Sequence, residues 1–275
     1  TETLRCEIMS HVNSGFHYSV NMSVSSSPTG RGSAIGGAAF SPLYKQIKAL
    51  LVQSLHAGEW KPGESIPSEL DLAARFQVSQ GTVRKAIDEL AAENLLIRRQ
   101  GKGTFVATHH EAQVRYRFLR LTPDNPENNQ RAQSTILECS RQKATQEIAR
   151  LLEIRTGDAL IYIKRIMNLG NRPSVIDEIW LPADVFKGLT SEVLIHNKGP
   201  LYGLFETKFG VSMIRAEEKV RAIAADAQMA DFLNVSEGFP LLQVDRVSYT
   251  YGDRPMEIRR GFYLTDQYHY RNSLN

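Results

Sequence analysis

The chain of 275 residues is too long for one small module, and its 42% hydrophobic residues can fill the cores of about two domains. With 33 Lys and Arg against 30 Asp and Glu, the net charge of +3 permits an anionic partner but requires any basic footprint to be local. Two cysteines, Cys6 and Cys139, exclude a disulfide framework, and with no apolar run of about 18 residues and no secretion signal the expectation is a cytoplasmic protein with no membrane segment.

Residues 1–40 are rich in Ser and Gly without periodicity and are expected to form a flexible tail. Met22 is the expected native start, with residues 1–21 lying ahead of it. Order is expected from "FSPLYKQIKALLVQSLHAGEW". Ser41 is placed to cap a first helix and Pro42 suits its first turn, while Leu43, Ile47, Leu50, Leu51 and Leu55 fall at helical spacing and Gly58 ends it. A second helix starts at Ser68, which forms a capping-box pair with Asp71; Leu72, Ala73 and Phe76 make its apolar side. After the tight break "QVS", a third helix carries Val83, Ala86, Ile87 and Leu90 on one stripe. Its opposite face holds Gln80, Thr82, Arg84, Lys85 and Asp88. "LLIRRQGKGTFVA" reads as two short strands around Gln100-Gly101-Lys102-Gly103, a hairpin with a basic tip. Helix, helix, short turn, helix and hairpin make a winged helix-turn-helix plan over residues 41–107.

Residues 108–275 are expected to hold a linker and a second, α+β domain. "PDNPENNQ" is a polar loop and "STILECSRQ" a strand. A repeat follows: "IARLLEIRTGDALIYIKRIMNLGNRPSVIDE" echoes "MADFLNVSEGFPLLQVDRVSYTYGDRPMEIR". Gly157 pairs with Gly238 and Arg165 with Arg246 at an offset of 81, while Gly170 pairs with Gly252 and Pro173 with Pro255 at 82. Each unit reads helix, turn, strand, Gly turn, strand. Two copies are too few for a solenoid but can build one pseudo-symmetric sheet covered by helices.

The third helix has the makings of a DNA reader. Short or flexible side chains at Ser79, Gln80, Gly81 and Thr82 would let the backbone approach base edges, and Arg84 and Lys85 would grip phosphate. Arg98, Arg99 and Lys102 on the hairpin would meet phosphates or an adjacent minor groove. A plain packing module is the bland alternative, but it does not call for a short break, a small polar outer face and a basic hairpin together. "GKGT" partly matches a Walker A loop, yet Leu96 and Gly103 stand where that motif needs Gly and Ser or Thr.

"SPLYKQI", "G…W.PGE.IPSE.DLA.RF.VS", "TVRKAI.EL…NLL" and "GKGTFV" resemble the GntR family of bacterial transcription regulators. The resemblance implies a dimeric winged helix on a palindromic operator. The implied contacts are Ser79, Gln80, Thr82 and Arg84 on the helix and Gln100, Gly101 and Lys102 on the wing, and Ser68, Gly81, Lys85 and Arg99 join them as candidate DNA contacts. Two positions depart from the family pattern: Leu70 and Gln80 stand where Arg is usual. Arg favours guanine O6/N7 and Gln favours adenine N6/N7, so an adenine is expected where relatives read guanine.

With its repeat and Leu181-Pro182 after Asp177, residues 110–270 resemble the UTRA domain of the HutC-type branch of that family, whose fold is similar to chorismate lyase. The resemblance implies a small anionic effector, a phosphorylated sugar, a carboxylate or similar, gripped by Arg165, Asp177, Glu257 and Tyr263. Met167 replaces a second Arg of the sugar-phosphate binders, which counts against phosphate; Arg117 or Arg120 is a candidate substitute. Arg supplies forked donors for an anion, and Asp or Glu accepts from hydroxyls or an amine. The same charges would also suit an internal salt-bridge network bracing the sheet, and Tyr263 would also suit the core.

The expectation is a cytoplasmic homodimeric repressor of double-stranded DNA, shifted by a small anionic metabolite, with no cofactor, no metal and no catalytic residues. His109-His110 lacks the partners of a metal site. A lyase-like enzyme with an attached DNA-binding domain and a regulator needing no ligand are the alternatives.

Overall fold

In a computed structural model of the protein the described residues are 41–109, 120–125 and 132–272. The predicted tail over 1–40, His110 and Arg117 therefore lie outside the described residues.

The first elements are α1 (Leu43–His56), α2 (Glu69–Phe76), α3 (Gln80–Ala92) and the hairpin of β1 (Leu96–Arg99) with β2 (Gly103–Val106). Ser68 caps α2 by accepting from the Asp71 amide, and Asp71 returns the bond to the Ser68 amide. Gln77 ends α2 in the left-handed region (φ 54°), and Ser79 caps α3 through the Thr82 amide, so the break is very short. Val83, Ala86, Ile87 and Leu90 are all fully buried against Leu51 and Leu72. At the hairpin tip the Lys102 amide donates to the Arg99 carbonyl, and Gly101 takes φ 70°, which an L side chain rarely adopts.

Two expectations for α1 fail. Ser41 does not cap it: Pro42 holds the cap position with no side-chain bond. Leu43 and Leu50 are 50% and 42% exposed, because the buried stripe is Ile47, Leu51 and Leu55 and both other leucines lie roughly a quarter-turn away from it.

The remaining described residues form β3 (Leu121–Pro123), β4 (Ala132–Lys143), α4 (Gln146–Leu152), β5 (Ala159–Leu169) and β6 (Arg172–Pro182). Then come α5 (Ser191–His196), α6 (Leu201–Phe209), β7 (Arg215–Ala224), α7 (Ala227–Leu233), β8 (Pro240–Tyr249), β9 (Pro255–Tyr263) and β10 (Tyr268–Tyr270). Six strands make an antiparallel sheet in the order β4-β5-β6-β9-β8-β7, and β3 pairs separately with β10.

The predicted repeat is visible and one strand longer than expected: β4-α4-β5-β6 maps onto β7-α7-β8-β9, with β6 and β9 meeting at the centre. The same turn recurs in both halves. Ala144 and Ala225 accept from Gly157 and Gly238, each at 2.8 Å, and donate to Asp158 and Phe239. Gly157 and Gly238 take φ 88° and 84°, which explains why the repeat keeps glycine there. Helices α5 and α6 cover one sheet face through Leu194, Tyr202 and Phe205, packed on Ile161, Ile163, Ile179 and Leu181. The other face is covered by α7 over Ile176, Leu241 and Phe262 and by α4 over Leu160 and Ile258.

Candidate DNA-contact surface and effector cavity

On the first domain, α3 presents Arg84 and its neighbours outward, and the wing residues Arg99, Gln100, Gly101 and Lys102 are exposed beside it. Several of these side chains are already engaged. The Ser79 and Thr82 hydroxyls meet at 2.9 Å. The Ser68 hydroxyl is held by Asp71 at 2.6 Å. Lys85 lies over the Tyr44 ring of α1 at 4.0 Å and Arg99 over Phe105 at 4.5 Å. Gln80 and Arg84 both donate to Glu69 Oε2, at 3.2 and 2.9 Å. Gly81 has no left-handed φ, and a Cβ built on it meets only Ser79 Oγ, at 3.9 Å. Alanine would fit there and favour the helix, so neither fold geometry nor packing requires this glycine.

In the second domain Arg165, Asp177, Glu257 and Tyr263 project from one sheet face, between the apolar cluster under α5–α6 and a second cluster around Val175, Val244 and Tyr263. Arg165 donates to Asp177 Oδ2 through Nε at 3.0 Å and a terminal nitrogen at 2.7 Å. Arg259 reaches the same oxygen at 3.4 Å and clasps Glu257 with two bonds of 3.1 and 2.9 Å. Burial alone would raise the Asp177 pKa, but Arg259 and Arg165 outweigh it and hold the carboxyl below its ordinary range. Its other oxygen, Oδ1, is buried without a hydrogen-bond partner. Arg246 pairs instead with Glu218 on β7, at 2.5 Å. Tyr263 lies back over Gly261, where a Cβ would come within 2.4 Å of its ring, and burial pushes its hydroxyl up to about 12.

A cavity of about 310 Å³ opens beside this belt, lined by Ser134, Ile136, Ile163, Arg165, Asn197 and Lys198 among others. That is enough for a small metabolite. Arg165 and Lys198 are its only charged lining residues among those described, and both are cationic. Of the sequence candidates among the described residues only Arg165 lines it; Asp177, Glu257 and Tyr263 are buried in the belt beneath.

The belt also touches the exit of the first domain. Tyr202 on α6 donates to Glu257 at 2.6 Å, and its ring meets the edge of the His109 ring at 5.2 Å. Burial, and then Glu257, raises the Tyr202 pKa. One turn on, Glu206 accepts from the Thr108 hydroxyl at 2.8 Å and the His109 amide at 3.0 Å. His109 Nε2 donates to the Met213 carbonyl at 2.9 Å, so this histidine is a buried structural tie.

Sequence reasoning missed Arg259, Tyr202, Glu206 and Lys198. A signal existed for the first. At offset 82 "PSVIDE" overlays "PMEIRR" and sets Arg259 on Asp177, the same place in each half with opposite charge. The others sit on α6 or the loop before it, outside the repeat.

Residues 43–106 match the family model for bacterial regulatory proteins, gntR family, and residues 127–269 match that for the UTRA domain. The chain is 29% identical to the mannosyl-D-glycerate transport/metabolism system repressor of Escherichia coli, over 82% of this chain and 93% of that one. It is 30% identical to an HTH-type transcriptional repressor of Salmonella typhimurium, over 83% of this chain and 95% of the relative. The crystal structure of a ligand-binding domain from Bordetella bronchiseptica, described as that of a GntR-family transcriptional regulator, aligns with a TM-score of 0.56. It shares 60% identity, over 58% of this chain and 99% of that one.

Proposed function

Because this chain belongs to the gntR family of bacterial regulatory proteins and carries a UTRA domain, we propose that it is a cytoplasmic repressor that binds a palindromic DNA operator as a homodimer and is shifted off it by a small anionic effector. The observation that carries the effector half is the cavity whose charged lining, among the described residues, is Arg165 and Lys198 alone. An anion there gains two cationic partners in a partly buried setting.

The coupling runs through α6. An anion competing for Arg165 loosens its hold on Asp177 and redistributes Arg259 between Asp177 and Glu257. Glu257 is the acceptor of Tyr202, and Tyr202 packs on His109, where the chain leaves the winged helix. Two half-sites about one DNA turn apart make operator binding sensitive to how the two heads are spaced. A tenfold release needs about 1.4 kcal/mol of differential affinity between the two states.

The test has two steps. An operator is first selected from random DNA with the full chain. Sugar phosphates, hydroxy acids and amino acids are then screened for thermal stabilisation and for loss of operator binding. The expected result is one anionic class that stabilises the protein, releases the operator and loses both effects in Arg165→Gln. Selection of no DNA sequence, or stabilisation without release by every compound, rejects the proposal.

A further inference from the structure

One carboxylate ties together the three elements that would face DNA. Glu69, the first residue of α2, is mostly buried, with a side chain only 14% exposed. Its Oε2 accepts from Gln80 Nε2 at 3.2 Å and Arg84 Nε at 2.9 Å, both on α3. Its Oε1 accepts from Arg98 on the wing strand β1 at 2.9 Å. Arg98 is held a second time by Asp88 of α3, at 2.6 Å. Burial raises the Glu69 pKa, but its bonds to Arg98, Arg84 and Gln80 outweigh that and keep it ionised at neutral pH.

We propose that Glu69 is a positioning residue for sequence readout, orienting the Gln80 amide toward the bases while it holds Arg84 and Arg98 at the edge of the contact surface. The inference rests on the DNA-binding reading above. An ionised carboxylate can only accept, so the nitrogen end of the Gln80 amide faces Glu69 and the oxygen end faces away. Without Glu69 the amide could turn over freely, presenting either end. With it, Oε1, the end turned away from Glu69, selects a base that offers a donor in the major groove. Adenine N6 and cytosine N4 qualify; guanine and thymine place O6, N7 or O4 there and do not. The second amide hydrogen stays free for N7, which favours adenine over cytosine. Arg84 and Arg98 read no base in this scheme. Phosphate oxygens can take over from the carboxylate as their acceptors, so the clamp keeps both arginines extended without locking them.

The experiment is selection of operators from random DNA with the full chain, comparing wild type, Gln80→Ala, Glu69→Gln and the double variant. Wild type is expected to prefer adenine at one symmetric position in each half-site. Gln80→Ala should lose that preference, which a bidentate contact makes about fivefold or more. Glu69→Gln should bind DNA but relax that same position toward Gln80→Ala, with other positions unchanged, and the double variant should match Gln80→Ala there. A merely structural Glu69 would weaken all positions together. Where Glu69→Gln does not fold, Glu69→Asp withdraws the carboxylate by one carbon and should give the same relaxation. The proposal is overturned if the Glu69 variants keep the wild-type preference at the position Gln80 reads, or if Gln80→Ala changes no position. If wild type selects no sequence, the DNA-binding reading itself fails.

Discussion

Arginine meets carboxylate in two very different settings in this molecule. On the winged helix, Arg84 and Arg98 are 57% and 42% exposed and share Glu69. In the sheet, Arg165 and Arg259 are about one-tenth exposed and share Asp177, which is fully buried. Exposed pairs are worth about 0–1 kcal/mol, so a phosphate can replace the carboxylate at little cost. Removing one partner of a buried pair costs about 3–5 kcal/mol, so that network yields only to a ligand bringing its own charge. The same chemical pair is exchangeable on one domain and structural on the other.

The largest expected effect tests the buried side. Asp177→Asn leaves two buried guanidinium groups facing a neutral amide and should destabilise the protein by about 3–5 kcal/mol in urea unfolding. A loss below about 1 kcal/mol would place this network with the exposed one. Its pH dependence has a definite sign. The Asp177 carboxyl is lowered from an ordinary 3.8, so its contribution is complete above that value and disappears as pH falls through the lowered one. The gap between wild type and Asp177→Asn should therefore stay constant across neutral pH and close only in acid.

Tyr202→Phe is next, and it probes the joint between the two settings. It removes the bond to Glu257, a hydrogen bond to a charged group, worth about 1.5–3 kcal/mol. Hydrogen exchange of the His109 amide, which Glu206 accepts, should quicken beyond the global change. Unaltered relative protection at His109 would separate the joint from the belt.

Gly81→Ala should stabilise α3 by about 0.5–1 kcal/mol, since its backbone is helical and a Cβ has room, yet weaken operator binding severalfold. Undiminished binding would show that no close backbone approach occurs there. The smallest stability effect belongs to Arg84→Ala, within about 0.5 kcal/mol, while the slope of log affinity against log salt should fall by about one unit. An unchanged slope would remove Arg84 from the phosphate contacts.

How much was legible in the sequence follows the same division. The winged helix is built from local signals: the Ser68 and Ser79 caps, the stripe of Val83, Ala86, Ile87 and Leu90, and Gly101 in its turn all read directly. Only parts of α1 were misplaced: the cap at Ser41, and Leu43 and Leu50, which flank the buried stripe of Ile47, Leu51 and Leu55. In the second domain the glycines fixed the repeat because each sits at a left-handed turn. The contact of Arg259 with Asp177 was not legible, because it depends on the register between β6 and β9, which no local period encodes. Arg165 and Asp177 were found as candidates, but that Arg259 would bridge Asp177 and Glu257, or that Tyr202 would carry the belt to His109, needs the folded chain.

A duplicated scaffold ought to repeat its charges, and here one outer-strand residue breaks the repeat. In the register of the sheet Arg165 stands opposite Ile136 on β4, whereas its counterpart Arg246 stands opposite Glu218 on β7. Glu218 pairs with Arg246 from the side that Ile136 leaves uncharged, and Arg165 takes its carboxylate from Asp177 on the neighbouring strand instead. The duplicated halves therefore carry different charges at equivalent places on their outer strands, Ile136 against Glu218.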